Sequence, residues 1–269
     1  MVKRNRWLAF LFLIFVFSWA FLNEADSLSS GEPYALALGQ AYTALAKGPL
    51  APLWNPAGNY ETSGIQGSLA FCLLPDESTL FYAGGSVAAT DGPAVSWTSV
   101  RHSDGEGEIL GTFSYPLRAG LRVGGGLAYL FDQDTASVSF NGGVSWRGER
   151  LWLGASGFGL ESMVAEGKGP SRVLLGAGWR AFPWMNVAFD LHFGAEGVEV
   201  ALGGEARAWT LRLRWGSALS LDGGLTQLGF GLGFPLMGLP VDIGVGLMGS
   251  GLQLVYSFGL TATFPFPAW

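Results

Sequence analysis

The side chains best suited to chemistry in this sequence are Asp190 and His192, which stand two residues apart in a segment of alternating apolar residues. A carboxylate that orients a histidine forms two thirds of a hydrolytic triad, and a nearby serine would complete the set. No Gly-x-Ser-x-Gly sequence accompanies the pair, so the usual context of a nucleophilic serine is missing. We therefore predict no catalytic residues and keep a hydrolase as the weakest of three interpretations.

The sequence also offers few residues that could bind a metal and no convincing phosphate-binding loop. The chain has one cysteine, Cys72, and two histidines, which are too few for a thiolate cluster or an ordinary transition-metal site. Carboxylates at the spacing of a calcium loop are missing as well. Gly124, Gly125 and Gly126 imitate a phosphate loop, but no Lys-Ser/Thr follows them, so we attribute them to strand curvature. We predict no metal and no cofactor.

Composition narrows the class of protein. The chain of 269 residues has 15 lysines and arginines against 21 acidic residues, a net charge of −6, and 13% charged residues. This balance leaves no basic surplus for phosphate backbones, so we predict no nucleic-acid partner. A mean hydropathy of +0.32 excludes intrinsic disorder. The 42 glycines and the 14% aromatic residues are unusual for an ordinary soluble domain.

Residues 1–25 have the pattern of a secretory signal peptide. Three cations in the first six residues precede an apolar run over residues 7–22, as in a basic n-region followed by an apolar h-region. Small residues allow cleavage after Ala20 or Ala25. The run is short for a bilayer span, so an uncleaved anchor is the less favoured alternative. We predict an exported protein.

Beyond residue 64, apolar side chains recur at every second position, as in the segment 185–193. A period of two is typical of β-strands, whose successive side chains point to opposite faces. One side carries Leu, Phe and Trp while the other is often glycine, serine or charged, so we predict lipid outside a barrel with a narrow interior. A secreted β-sandwich would expose on the order of several hundred Å² of apolar surface. Residues 243–269 carry no charge and are long enough for a helical span, but a helix would turn the polar side chains within 252–264 toward lipid.

The predicted all-β fold is a transmembrane, antiparallel, up-and-down barrel over residues 65–269. Turn residues separate segments that suffice for about 14 strands, an even number as in bacterial single-chain barrels, and about 12 or 16 would also fit. Residues 102–107 and 157–170 are predicted external loops. Tryptophans near segment ends are predicted to form interfacial girdles. These tryptophans are Trp146, Trp179, Trp184, Trp209 and Trp215.

Alternation also assigns the titratable side chains that face the interior. They are Arg122, Arg147, Arg172, Arg180, Asp190, His192, Glu199, Glu205, Arg207, Arg212, Arg214 and Asp242. Opposite charges on consecutive strands can pair across the ladder, so an ion-pair network that holds a narrow barrel shut is the favoured interpretation. The alternative is that some arginines bind an anionic headgroup, such as a carboxylate, through bidentate contacts.

Residues 26–64 have a different pattern, with apolar and small residues at roughly helical spacing, which predicts a short helix followed by a turn. The stretches ALGQAYTALA (residues 37–46) and LWNPAG (residues 53–58) resemble the N-terminal signature of FadL-like outer-membrane proteins, a superfamily that includes the PorV and PorQ relatives. The motif residues are Gly39, Tyr42, Thr43, Leu45, Trp54, Asn55, Pro56 and Gly58.

The resemblance implies a bacterial outer-membrane barrel in which residues 26–64 fold into the lumen as a plug, and a periplasmic clasp is an equally open alternative. The sequence lacks the second glycine near Gln40 and has Lys47-Gly48 in place of aspartates. It is also much shorter than the long-chain fatty-acid transporters. Pro265 and Pro267 interrupt the last strand before the aromatic C-terminal residue.

The resemblance implies two functions ahead of the hydrolase. The first is a barrel that binds or passes small hydrophobic or amphiphilic molecules. The second is a non-transporting scaffold for a secretion or surface-attachment machinery. The expected partners are outer-membrane lipid, the barrel-assembly machinery, a small hydrophobic ligand and, for the scaffold, secretion-system proteins.

Overall fold

The computed structural model describes residues 31–58, 64–89, 92–118, 120–131, 136–160, 171–194, 197–249 and 251–264. They form one α-helix, α1 (Pro33–Ala37), one 3₁₀ turn (Ala51–Leu53) and fourteen strands. The strands are β1 (Gly64–Leu73), β2 (Thr79–Ala88), β3 (Ala94–His102), β4 (Gly107–Arg118), β5 (Leu121–Phe131), β6 (Ala136–Arg147), β7 (Leu151–Phe158), β8 (Arg172–Phe182), β9 (Met185–Gly194), β10 (Gly197–Ala208), β11 (Leu211–Ser220), β12 (Leu225–Leu236), β13 (Leu239–Met248) and β14 (Gln253–Phe264). The predicted signal peptide, most of the predicted loop at 157–170, and Pro265 and Pro267 lie outside the described residues.

The fourteen strands close into a single antiparallel barrel in which each strand pairs with its neighbours in sequence. The barrel closes where β14 pairs with β1, with Leu260 opposite Leu69. Two-residue turns make tight hairpins, and the turn after β12 uses positive φ at Met237 and Gly238, as hairpin turns of this length require. The predicted fold class and the predicted number of strands are confirmed.

Large apolar side chains cover the outside of the barrel. Phe113, Leu127 and Phe140 are each about half exposed, at 51, 52 and 51%, while their sequence neighbours Ser114 and Ser139 are buried on the inner face. An exterior of this kind is stable in hydrocarbon and unstable in water, so the strands are membrane-spanning. Among the described residues, no helix is long and apolar enough to cross a bilayer, a finding that concerns helices and says nothing of a β-barrel.

The two ends of the barrel differ in the length of their connections. Four connections at one end are turns of two residues, after β4, β8, β10 and β12, and β1 begins and β14 ends there too. We call this the terminal end. At the opposite end, which we call the loop end, the connection between β9 and β10 also has two residues, but the other six have at least four, and the longest covers residues 159–171. Bacterial barrels place their short turns in the periplasm and their long loops outside the cell.

The tryptophans predicted for girdles lie mainly at the terminal end. Trp146 and Trp179 are close to the ends of β6 and β8, and Trp184 and Trp209 lie in turns at the same end. Trp215 differs, because it lies in the middle of β11. Four of the five predicted tryptophans therefore form one girdle, at the terminal end, and the prediction of more than one girdle is not met by these residues.

Residues 31–58, which we call the inner segment, lie inside the barrel. Apart from Gln40, Lys47 and Gly48, every residue of the segment is buried. Its helix is shorter than the pattern predicted, because α1 ends at Ala37 and the turn that follows takes positive φ at Gly39 and Gln40. A left-handed backbone cannot continue an α-helix, so residues 38–45 form successive turns along the wall.

Glycines on the inner face of the strands let the inner segment approach the wall closely. A Cβ at any of these positions would lie against the inner segment's atoms at 3.1 Å or less, so only glycine fits. We call them the glycine belt: Gly84, Gly124, Gly143, Gly154, Gly176, Gly178, Gly203, Gly216, Gly229, Gly231, Gly244, Gly246 and Gly259. Gly124, which the sequence suggested as a site of curvature, lies against Pro56 and makes room for this residue.

Candidate binding site in the lumen

Tyr34 anchors α1 to the barrel wall through a network of buried charges. Its hydroxyl donates to Glu205 on β10 at 2.6 Å, and the Arg214 guanidinium lies 3.8 Å from its ring centre. Arg214 also donates to Glu205 at 3.0 Å and to Asp242 at 2.6 Å. The side chains of Glu205 and Arg214 are fully buried, so loss of either would leave a buried charge without its partner.

Glu32 caps the N-terminus of α1. Its carboxylate accepts a hydrogen bond from the N–H of Ala35 at 2.8 Å, and Pro33 occupies the first helical position. Burial raises the pKa of Glu32 to about 7, and the hydrogen bond from Ala35 opposes this effect only in part. Glu32 therefore changes charge near neutral pH, unlike an exposed glutamate.

Asp190 on β9 holds the turn that follows α1. One carboxylate oxygen accepts hydrogen bonds from the N–H groups of Tyr42 at 3.0 Å and Thr43 at 2.6 Å. The Nε2 of His192 lies 3.7 Å from the same oxygen, and its Nδ1 lies 3.8 Å from Glu199. The carboxylate that would orient a catalytic histidine already binds two backbone groups, so we assign Asp190 a structural role.

A row of aromatic rings runs through the inner segment. Tyr34 stacks on Tyr42 with ring centres 4.8 Å apart, and Tyr42 meets Trp54 edge-on at 6.0 Å. Trp54 in turn lies 6.0 Å from the His192 ring. All four side chains are buried, and only Tyr34 and Tyr42 line a cavity, so these two rings are the part of the row that a solute in the lumen can contact.

Arg172, at the start of β8, covers this row from the loop end. Its guanidinium lies 4.5 Å from the ring centre of Phe158 and 5.8 Å from that of Trp54. It also donates a hydrogen bond to the carbonyl of Leu53 at 3.0 Å. Arg172 therefore fixes the 3₁₀ turn of the inner segment to the wall.

The LWNPAG motif closes the inner segment against β6 and β7. Asn55 donates to the carbonyl of Val144 at 3.1 Å, and its side-chain oxygen accepts from the N–H of Ala57 at 2.9 Å. The carbonyl of Trp54 accepts from the Ser156 hydroxyl at 2.6 Å. These contacts give the motif a positional role, since its side chains satisfy backbone groups that burial would otherwise leave without partners.

Three other motif residues lie in close contact with the wall or with the inner segment itself. Gly39 lies against Gly216 and Ser217, Leu45 against Gly178, and Gly58 faces the carbonyl of Ala46. These motif residues therefore lie where the inner segment packs most closely against the wall or against itself.

A polar cavity of about 620 Å³ lies between the inner segment and the terminal end of the barrel. We call it the terminal cavity. The charged residues of its lining are Glu32, Lys47, Arg147, Arg180, Arg207, Arg212 and Asp242. Five of these are basic and two are acidic, so the cavity carries a positive field although the chain as a whole is acidic.

The predicted interior charges fall into three groups and two separate arginines. Four arginines and Asp242 line the terminal cavity, Glu205 and Arg214 form the network at Tyr34, and Asp190, His192 and Glu199 form a chain under the turn. Glu199 is tied to β12 by the Thr226 hydroxyl at 2.5 Å. Arg122 and Arg172 stand apart from these groups; Arg122 donates to Ser114 at 3.2 Å and to the carbonyl of Gly92.

Sequence reasoning missed Glu32, Tyr34, Lys47 and Trp152. Glu32 followed by Pro33 is a helix-start signal that could have located the cap. Trp152 is buried on the inner face at 4% exposure, in a segment whose alternation is hard to follow. No local signal identifies Tyr34 as the partner of Glu205, because the two residues lie 171 positions apart.

Comparison with known proteins gives likeness in structure alone. No protein-family model matches the sequence, and no curated protein matches it. The chain is similar in structure to a CymD monoaromatic hydrocarbon channel, with a TM-score of 0.68 and 12% identity over 91% of this chain and 100% of that one. It is also similar to the toluene transporter TbuX of Ralstonia pickettii, with a TM-score of 0.66 and 11% identity over 89% of this chain and 100% of that one. The chain therefore has the fold of these channels, which confirms the predicted FadL-like barrel fold, while the relationship to PorV and PorQ stays a prediction.

Proposed function

We propose that this protein is a bacterial outer-membrane barrel that binds small hydrophobic or amphiphilic molecules and passes them across the membrane. The observation that carries the proposal is the row formed by Tyr34, Tyr42 and Trp54 in the lumen, with the polar terminal cavity beside it. Tyr34 and Tyr42 line this cavity, where their rings stabilise an apolar solute, whereas a porin channel is lined with polar side chains and filled with water.

Three features support the outer membrane as the location. They are the apolar exterior, the even number of strands, and the short turns at the end where β1 begins and β14 ends. The predicted signal peptide over residues 1–25 agrees with export.

The names of two proteins with the same fold support the class of solute. CymD is called a monoaromatic hydrocarbon channel and TbuX a toluene transporter. Small apolar molecules are therefore the first solutes to test with this chain.

Passage through the lumen requires space that the inner segment occupies. The turn at Tyr42 and Thr43 is held by Asp190, and the start of the segment is held by the Ser257 hydroxyl, which donates to the carbonyl of Gly31 at 2.7 Å. We infer that solute entry moves the segment away from part of this wall, as a gate.

Cys72 offers a direct test of such movement. A Cβ added at Gly31 would lie 2.8 Å from the Cys72 sulfur and 3.0 Å from its Cβ, so Gly31→Cys brings a second thiol within disulfide reach once the chain at residue 31 shifts outward by about 0.5–1 Å. A Tyr82→Phe background removes the hydroxyl that would lie 2.7 Å from the new Cβ. We expect vesicles with the oxidised variant to take up labelled decanoate no faster than protein-free vesicles, and dithiothreitol to restore uptake.

The matched control is Cys72→Ser in the same Gly31→Cys, Tyr82→Phe background. It cannot form the bond, so its uptake should be the same in oxidising and reducing buffer. Uptake that never exceeds that of protein-free vesicles in any variant would contradict transport. Equal uptake by the oxidised and reduced Cys72 forms would contradict the inner segment as the gate.

The glycine belt favours a second candidate, the non-transporting scaffold. Backbone contacts with belt glycines on β2, β5, β6, β7 and on β8 and β10 to β14 hold the inner segment as a fixed core. A scaffold needs a rigid barrel and no passage. The oxidised variant would then keep its cellular role while uptake stays at the protein-free rate, and envelope proteins of a secretion machinery would copurify with both forms.

A further inference from the structure

Four arginines form an arc on the inner face of the barrel at its terminal end. Arg147 lies on β6, Arg180 on β8, Arg207 on β10 and Arg212 on β11, and all four line the terminal cavity. We call them the arginine arc. Neighbouring strands are about 4.8 Å apart, so the last three arginines begin within about 15 Å of one another and can reach a common ligand.

Two members of the arc stand directly opposite each other. Arg207 and Arg212 are partners in the β10–β11 register, and both face the cavity. Like charges at such a cross-strand position are destabilising. Glu205 offsets part of this repulsion through its contact with Arg207 at 2.9 Å, and an anion bound between the two strands would offset the rest at Arg212.

The carboxylates near the arc already have other partners, and Glu32, which also lines the cavity, accepts a hydrogen bond from the N–H of Ala35. Glu205 accepts hydrogen bonds from Tyr34, Arg207 and Arg214, and Asp242 accepts one from Arg214 at 2.6 Å. Among the described residues, no carboxylate lies within 4.0 Å of the guanidinium of either Arg180 or Arg212. The protein therefore supplies less negative charge around the cavity than positive charge.

Trp152 positions the arc on the side of β6 and β8. The guanidinium groups of Arg147 and Arg180 lie 5.2 and 5.4 Å from the centre of its ring. A planar guanidinium held near an aromatic face loses less rotational freedom when it then binds a ligand. The ring also gives the cavity an apolar wall beside its charges.

The opposite wall is polar and uncharged. Gln66 and Ser68 on β1 pair with Thr263 and Thr261 on β14 through their side chains, at 3.2 and 2.6 Å. These four residues also line the cavity. The positive field is therefore concentrated on one side, where a single anionic group would bind.

We infer that the terminal cavity binds a phosphate dianion, either the monoester headgroup of a lipid or free inorganic phosphate. A carboxylate has two oxygens and is satisfied by one guanidinium fork, whereas a phosphate dianion can accept from forks on two or three strands. The inference goes beyond the proposed function, because binding in this cavity needs no passage through the lumen.

Calorimetric titration of the full-length barrel in a nonionic detergent tests this site. Decyl phosphate and decanoate have tails of similar length and differ in headgroup, and inorganic phosphate has no tail. We expect decyl phosphate to bind saturably and about tenfold more tightly than decanoate. Competition by inorganic phosphate would identify free phosphate as the source of the group, and its absence would identify a lipid.

The test variant is Arg180→Gln/Arg212→Gln, because neither side chain takes part in a described ion pair. We expect its affinity for decyl phosphate to fall by about tenfold or more. The matched control is Arg118→Gln/Arg150→Gln, which removes two exposed charges from the same end but outside the cavity, and should leave the affinity unchanged. Arg212→Gln alone repeats the test with a smaller change to the fold.

Equal affinity for decanoate and decyl phosphate would overturn the inference, and so would an equal loss in the control variant. A barrel that binds decyl phosphate but shows no uptake in vesicles would support this site and contradict transport. The two proposals can therefore fail separately.

Discussion

The glycine belt and the arginine arc occupy the same inner faces of the same strands, yet they carry opposite kinds of residue. On β8 the belt glycine Gly176 is followed four residues later by Arg180, and on β10 Gly203 is followed four residues later by Arg207. Four residues along a strand span about 13 Å. Within that distance the inward residue changes from glycine, which has no side chain, to arginine, which has a long one. The reason is that the wall contacts the inner segment at the glycine belt and faces the terminal cavity at the arginine arc.

This difference shows that facing inward is a weak constraint on residue type. The pleat of the strand decides that the belt and arc positions both point into the lumen. The residue type that fits depends on whether the inner segment or the cavity lies opposite. At the belt the inner segment leaves no volume for a Cβ, and at the arc the cavity leaves room for side chains that reach a ligand.

The largest effect is expected from Gly216→Val at the belt. A Cβ at this position would overlap the carbonyl of Leu38, and both partners are backbone and cannot move aside. We expect a loss of more than about 5 kcal/mol in the free energy of unfolding, so that the barrel does not fold. Heat-dependent migration on a denaturing gel would detect the loss.

Gly111→Val is the matched control, because Gly111 is exposed on the outer face and a Cβ there would contact nothing within 4 Å. Valine suits a strand equally well at both positions. We expect the control barrel to fold, with a change within about 0.5 kcal/mol. Equal behaviour of the two variants would contradict the belt.

Asp190→Ala tests how strongly one side chain of the wall holds the inner segment in place. The change removes the acceptor for two buried N–H groups, those of Tyr42 and Thr43. We expect a loss of about 3–5 kcal/mol in guanidinium unfolding of the barrel in micelles. Asp222→Ala, in an exposed turn at the loop end, should change stability little, and a similar loss there would argue against the anchor.

The next prediction concerns Glu32, which lines the terminal cavity and should make the free energy of unfolding depend on pH. Its pKa of about 7 in the folded state lies above the usual 4.5, so the folded barrel binds the proton more tightly than the unfolded chain. The resulting stability is complete below about pH 4.5 and is lost as pH rises through 7. We expect unfolding free energy to fall by about 2–3 kcal/mol between pH 5 and pH 8.5 through this group.

Glu32→Gln should remove that part of the pH dependence, and the difference between the two proteins isolates it from other groups. Unfolding curves at several pH values provide the measurement. The same slope with glutamine would show that Glu32 does not titrate in this range.

The smallest effect is expected from Ser257→Ala, at the edge of the belt. Its hydroxyl donates to the carbonyl of Gly31 at 2.7 Å, a hydrogen bond worth about 1 kcal/mol in net terms. Ser217→Ala, on the outer face of β11, is the control and should change stability by less than about 0.5 kcal/mol. An equal change in both variants would show that the hydrogen bond to Gly31 does not help to anchor the inner segment.

Much of the barrel could be predicted from local pattern. Alternation is a property of consecutive residues, so it assigned Arg180, Arg207 and Arg212 to the interior without knowledge of their neighbours. Helical spacing overestimated the length of the helix in the inner segment, because Gly39 and Gln40 adopt positive φ where the wall at Gly216 is close. The spacing of apolar residues does not carry that information.

The sequence by itself determined the barrel, a strand number of about 14, and the side of the wall on which most strand residues lie, since a strand's period acts over two residues. Only the tertiary structure decided that the inward glycines form a belt around residues 31–58, and that four arginines surround one cavity. Those facts depend on contacts such as that between Leu36 and Gln227, which are 191 residues apart. Contacts at such separations are fixed by barrel closure and register, which no short stretch of sequence encodes.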